Sequence, residues 1–141
     1  MKPRINVITL AVDNLEKSYD FYSEGLGWKS DGIIGTEIEN GAVAFFNLSG
    51  GLTMALWPRE SLLIDAGLNE TEQGHKTTFS LGYNVNSKSE VDGAIQSAIE
   101  AGGKLIDPAQ ERAWGGYSGY FADLDGHLWD VVFNPELVIE E

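Results

Sequence analysis

The chain repeats itself, and the repeat limits its possible folds more than any other feature. Val12-Asp13-Asn14 is matched by Val85-Asn86-Ser87 at a shift of about 73 residues. Phe45-Phe46, four residues and Gly51 are matched by Tyr120-Phe121, four residues and Gly126 at a shift of about 75. The copies share an order of signals. In the first, an apolar β-branched run from Ile5 to Val12 leads into helical spacing at Leu15, Tyr19, Tyr22 and Leu26, with Asp13 or Asn14 as cap and Gly25 and Gly27 at the end. Strands are predicted over Gly35–Glu39, Ala42–Leu48 and Leu52–Trp57, separated by Asn40-Gly41 and Gly50-Gly51.

In the second copy, a strand over Thr78–Val85 precedes a helix opened by Ser87, Lys88 or Ser89, running through Val91, Ile95 and Ile99 and ending at Gly102-Gly103. Strands over Lys104–Ile106, Tyr117–Ala122 and His127–Phe133 complete it. Each copy reads βαβββ. Neither small sheet can bury both of its faces alone, so the prediction is one α+β domain over 1–141 in which two modules pair. The modules span about 4–58 and 77–135, joined by a linker at 59–76 with a short helix near Glu60–Ala66.

Composition narrows the chemistry. The absence of cysteine excludes disulfides, thiolate nucleophiles and cysteine-ligated metals. A net charge of -13 repels nucleic-acid phosphates and anionic membranes and favours cationic ligands. No apolar run is long enough to span a bilayer, and MKPRINV is no secretory signal, so a cytoplasmic protein is expected, with neither nucleic acid nor membrane as partner.

Ile5 to Leu15, then Ser18, Phe21-Tyr22 and Leu26-Gly27, resemble the opening of vicinal oxygen chelate proteins, the superfamily of glyoxalases, bleomycin-resistance proteins and extradiol dioxygenases. Gly119-Tyr120-Phe121-Ala122-Asp123-Leu124-Asp125-Gly126-His127-Leu128-Trp129-Asp130 resembles their final hairpin. The resemblance covers Ile5 to Pro135. It implies a curved sheet cup with helices outside, a homodimer, and metal ligands in the middle of the first and last strand of each module. Those positions fall on Val7, Ala55, Ser80 and Asp130, where relatives carry His, Glu or Gln. Valine and alanine offer no donor and a neutral serine is a poor one, so no metal or other cofactor is expected, a divalent metal being the alternative.

Strand alternation extends this assignment. With those four positions facing inward, so do Thr9, Ala11, Thr53, Trp57, Gly82, Asn84, Leu128 and Val132, a list short of bulk that implies a cavity. The opposite set, including Leu10, Val12, Met54, Leu56, Tyr83, Trp129 and Val131, should pack under the helices. The expected occupant is a small, partly aromatic or cationic organic molecule, contacted by Trp57, Trp114 and Phe46 and oriented by Asp130, Asn84, Thr53, Ser80 and Thr9.

Asp130 is the candidate catalytic residue, because a carboxylate between Trp129 and Val131 is costly to bury without a partner. His127 follows the turn Asp125-Gly126 and reads as structural, and His75 reads as a solvated linker residue. Asp123, Asp125 and Gly126 resemble part of a calcium loop, but the remaining ligands are missing and a hairpin explains them. Arg112-Ala113-Trp114-Gly115-Gly116-Tyr117 reads as a strand connection whose aromatics can cover a ligand. Tyr19, Phe21 and Tyr22 read as packing residues. The resemblance leaves two function classes, a metal-independent binder similar to bleomycin-resistance proteins and a metal-dependent glyoxalase- or dioxygenase-type enzyme. The solitary carboxylate adds a third, metal-free acid–base catalysis by Asp130.

Overall fold

The computed structural model describes residues 2–3, 5–66 and 81–140. Two compact units divide the chain, Met1–Lys76 and Thr77–Glu141. The first contains β1 (Val7–Val12), α1 (Leu15–Asp20), β2 (Ser30–Ile34), β3 (Val43–Asn47), β4 (Thr53–Pro58) and α2 (Arg59–Ala66). Its sheet order is β1-β4-β3-β2, with β1 parallel to β4 and the other neighbours antiparallel. The second contains β5 (Leu81–Val85), α3 (Lys88–Glu100), β6 (Lys104–Glu111), β7 (Tyr117–Ala122) and β8 (Leu128–Phe133). Its order, β5-β8-β7-β6, repeats the first with the same parallel and antiparallel pairs. The α+β class and the doubled βαβββ module are therefore present. Among the described residues, no helix is long and apolar enough to cross a membrane.

In the first unit, Asn14 caps α1 by accepting from the Lys17 amide at 2.9 Å. The helical spacing from Leu15 to Leu26 predicts one uninterrupted helix, but its end widens into a π-helical turn over Phe21–Gly25, in which the Leu26 amide reaches the Phe21 carbonyl five residues back. The wider turn brings Phe21 and Tyr22 both into the core, where their rings meet edge to face at 5.0 Å. Leu10, Val12, Met54 and Leu56 lie beneath the helix, all but inaccessible to solvent.

The strand predicted over Gly35–Glu39 is corrected: β2 ends at Ile34 and a compact turn follows. Alternation in Thr36-Glu37-Ile38-Glu39 mimics a strand, yet Gly35 has φ +77°, and a Cβ there would stand 2.3 Å from the Gly41 carbonyl oxygen. Amides of Ile38 and Gly41 bond back to the carbonyls of Gly35 and Ile38 at 3.1 and 2.9 Å and close the turn.

In the second unit, Ser87 caps α3 through the Glu90 amide at 3.2 Å, and Val91, Ile95 and Ala98 form its buried stripe. Gly119 permits the helix to sit on β7, since a Cβ there would come within 2.7 Å of Ile95 Cδ1 and 2.8 Å of the Ala109 nitrogen. Phe121 and Trp129, opposite each other on β7 and β8, stack with ring centres 5.9 Å apart. Tyr83, expected under the helix, is 44% exposed, because β5 is the edge of this sheet while α3 lies chiefly over β6, β7 and β8. Residues 78–80 of the expected strand, with Phe79 and Ser80, and His75 lie outside the described residues.

This register predicts very different costs at two adjacent aromatics. Phe46→Ala, deep in the core, should cost roughly 3–5 kcal/mol, and Phe45→Ala, 42% exposed, about 1 kcal/mol. Urea denaturation measures both, and equal losses would contradict the register of β3.

Candidate functional site

The face of the first sheet turned away from α1 holds an apolar cavity. In the β3–β4 ladder Phe45 opposes Ala55 and Phe46 opposes Met54, so Phe45 shares a face with Ala55 and Phe46 turns to the helix. The assignment of Phe46 to a ligand wall is thereby corrected: its ring belongs to an aromatic core, 5.9 Å from Tyr19, 6.0 Å from Tyr22 and 6.2 Å from Trp28. Phe45 takes the wall position instead. With Val7, Thr9, Val43, Ala55 and Trp57 it encloses about 230 Å³, and Gly41 completes the rim. The Trp57 indole nitrogen donates to the Asn40 carbonyl at 3.1 Å, so the Gly35–Gly41 turn, closed by Asn40 at φ 57°, fixes the indole ring at the cavity edge. Thr53 lies one pair further along β4 and donates to Asn47 Oδ1 at 3.4 Å, outside this cavity.

The equivalent face of the second sheet is polar. Tyr120 opposes Asp130 across β7 and β8, as Phe45 opposes Ala55 in the first unit. The Tyr120 phenol acts on the Asp130 carboxylate across this ladder, and the carboxylate Oδ1 is buried and has no hydrogen-bond partner among the described residues. Arg112 stands at the end of this row. Its Nε donates to Ser118 Oγ at 2.8 Å, and one terminal nitrogen reaches Asp107 Oδ2 at 2.7 Å and the Ser118 carbonyl at 2.9 Å. Burial raises the Asp130 pKa above the ordinary 3.8, while the Tyr120 hydrogen bond and the Arg112 charge pull it back. The Tyr120 phenol is raised as well, by desolvation first and then by the Asp130 charge. A carboxyl with one free oxygen and an elevated pKa can accept or release a proton near a bound ligand, and can orient a donor group.

The remaining candidates are dispersed. Asn84 is exposed on β5, on the same face as Val132. Trp114 is 57% exposed in the β6–β7 turn, with its ring folded over Gly116, where a Cβ would meet it at 1.9 Å. Ser80 lies outside the described residues. Of the family's metal positions, Val7 and Ala55 line a hydrocarbon cavity and supply no donor, and Asp130 supplies one carboxylate. That set does not fit a metal needing about three N or O donors.

A different group brings ligand atoms together: Asp123, Asp125 and His127 place one each within 4.8 Å of one another. Here Asp123 accepts from the Asp125 and His127 amides at 3.0 and 2.9 Å, and its other oxygen meets His127 Nδ1 at 2.7 Å. Those bonds fasten the β7–β8 turn, and they bind His127, a buried residue, into it.

The sequence reading missed Phe45, Tyr120 and the Arg112–Asp107–Ser118 clamp. A signal for the first two exists. The shift of about 75 residues that equates Ala55 with Asp130 also equates Phe45 with Tyr120, and the ladder register pairs them.

The raised pKa fixes a sign. Between 3.8 and the raised value the folded state binds more protons than the unfolded chain, so this group's contribution to stability falls as pH rises through that window. Asp130→Asn should remove that part of the pH slope. In a carbon-13 NMR titration the Asp130 carboxyl should titrate above an ordinary aspartate, and Tyr120→Phe should raise its midpoint further. A midpoint at or below 3.8 in the parent protein contradicts the assignment.

Comparison with known proteins agrees with this architecture. Residues 4–131 match the Glyoxalase/Bleomycin resistance protein/Dioxygenase superfamily. A glyoxalase-related enzyme from Fulvimarina pelagi is 34% identical, with 99% of this chain and 94% of that chain covered and a TM-score of 0.84. A glyoxalase/bleomycin resistance protein/dioxygenase family enzyme from Burkholderia phytofirmans is 17% identical over 91% of this chain and 96% of that one, with a TM-score of 0.72. The fosfomycin resistance protein FosX from Listeria monocytogenes is 23% identical over 95% of each chain, with a TM-score of 0.68. The latter two show likeness of fold alone. No functionally curated protein matches the chain. With the doubled βαβββ module and a family match over nearly its whole length, the chain belongs to the Glyoxalase/Bleomycin resistance protein/Dioxygenase superfamily.

Proposed function

We propose that this protein binds a small, partly aromatic or cationic organic molecule without a metal, and that the face of its first sheet turned away from α1 receives the apolar part of that molecule. The observation that carries the reading is the cavity bounded by Val7, Val43, Phe45, Ala55 and Trp57. Two positions where relatives carry metal donors are here hydrocarbon, and two aromatic rings stand beside them. Ligand sites are largely apolar with a few directional polar groups, and Thr9 and the hydrogen-bonded Trp57 fit that description. The same reading has the protein acting as a cytoplasmic homodimer, in keeping with its resemblance to bleomycin-resistance proteins.

A second reading rests on a separate observation, the unpartnered Oδ1 of Asp130 beside Tyr120. In it, Asp130 serves as a general base toward a ligand C–H or O–H bond, with Tyr120 holding the carboxylate in place. Deuterium incorporation next to the carbonyl of an aryl ketone, abolished by Asp130→Asn, is its signature. Incorporation no faster than in buffer removes it.

The binding reading is tested by titrating tryptophan fluorescence with n-propylbenzene and 3-phenylpropylamine. Saturable quenching is expected, weakened on the order of tenfold by Trp57→Ala and unchanged by Trp114→Ala. An absence of saturation, or equal effects of the two substitutions, contradicts it. Metal analysis of protein purified without chelator should find well under one equivalent. About one equivalent of tightly held metal that is lost in Asp130→Asn would overturn metal independence.

A further inference from the structure

The cavity beside Trp57 is small for a whole ligand. At about 230 Å³ it falls below the range of roughly 300–1,000 Å³ typical of small-molecule sites, and resembles a pocket for one ring. On the other side of Phe45 lies a second hollow, a groove of about 660 Å³ along β2 and the segment before it. Phe45 lines both, and the walls continue across the β2–β3 ladder, where Ile34 of the groove opposes Val43 of the cavity. A molecule whose ring fills the cavity has the groove as its adjoining space.

The groove differs in chemistry from the cavity. Lys29 and Asp31 flank Ser30 on its wall, are exposed, and form no ion pair with another described residue. The Ser30 hydroxyl is committed internally, donating to the Phe45 carbonyl at 2.6 Å and accepting from the Gly32 amide at 3.2 Å. These two hydrogen bonds of Ser30 fix the backbone carrying the two charges relative to Phe45. Asn47 completes the polar wall, with its Oδ1 held by Thr53 and its amide nitrogen directed to no described acceptor. Neighbouring charges of opposite sign beside a free amide donor are complementary to a group that carries both signs itself.

We infer that the ligand is bipartite, an aromatic ring in the cavity and a zwitterionic arm, of the amino-acid kind, that passes Phe45 and lies between Lys29 and Asp31. The inference deepens the proposed binding function and rests on it. Its chemistry assigns Lys29 to the anionic end of the arm, Asp31 to the cationic end and Asn47 to hydrogen bonding between them.

Four compounds of one skeleton separate these contributions by isothermal titration calorimetry: n-propylbenzene, 4-phenylbutanoate, 3-phenylpropylamine and homophenylalanine. Homophenylalanine should bind at least about tenfold more tightly than propylbenzene, with each singly charged compound between them. Lys29→Ala should abolish the advantage of 4-phenylbutanoate, and Asp31→Ala that of 3-phenylpropylamine, with propylbenzene unaffected by either. Both side chains are exposed, so the variants should keep the parental circular dichroism. Propylbenzene binding that depends on Trp57, with no gain from any arm or no loss in the two variants, overturns the bipartite ligand and leaves the ring site standing. Failure of all four compounds to bind overturns the ring site and the bipartite ligand together.

Discussion

Each sheet is organised by the parallel pairing of its first strand with its last. A parallel pair cannot be joined by a tight turn, so the chain must leave β1, cross over as a helix, and build two further strands before β4 returns beside it. The crossover helix occupies one face, and the strands must be apolar there, which Leu10, Val12, Met54 and Leu56 satisfy. The other face is then composed of residues far apart in sequence, such as Thr9 opposite Ala55 or Gly82 opposite Asp130. The cavity and the polar row both follow from that closure, since neither exists along any single strand.

The two faces solve the same geometric problem with opposite chemistry. On the first, rings and methyl groups leave a hollow, and apolar surface facing water favours any ring that fills it. On the second, Tyr120 faces Asp130, and Arg112 bonds Ser118 and Asp107. Asp130 Oδ1 is buried and has no hydrogen-bond partner among the described residues. Burial elevates the Asp130 pKa, and the Arg112 charge, itself bonded to Asp107 and Ser118, offsets only part of that rise.

Much of this was legible in the chain. Caps at Asn14 and Ser87 and the repeat itself determine the module, because short polar side chains before apolar periodicity have few other uses. Alternation separated Leu10, Met54 and Val131 from Val7, Ala55 and Asp130. It failed at β2, where Ile38 between two glutamates imitates a strand that the left-handed Gly35 forbids. It also failed at Phe45-Phe46, where two adjacent rings can exchange roles with a one-residue slip and only the ladder partner decides. The Arg112 clamp was beyond reach for another reason: β6 shifts register on both sides of Asp107, and such bulges re-aim side chains in ways that period two does not predict.

The matched ladders have a practical consequence. Phe45 facing Ala55 and Tyr120 facing Asp130 occupy corresponding rungs of two sheets with the same strand order and pairing. One molecule therefore holds a hydrocarbon rung and a phenol–carboxylate rung on like scaffolds, each serving as reference for the other. Exchanging the pairs between halves would ask whether a proton site and a ring site are properties of side chains that any such rung can carry, or of the particular backbone beneath them.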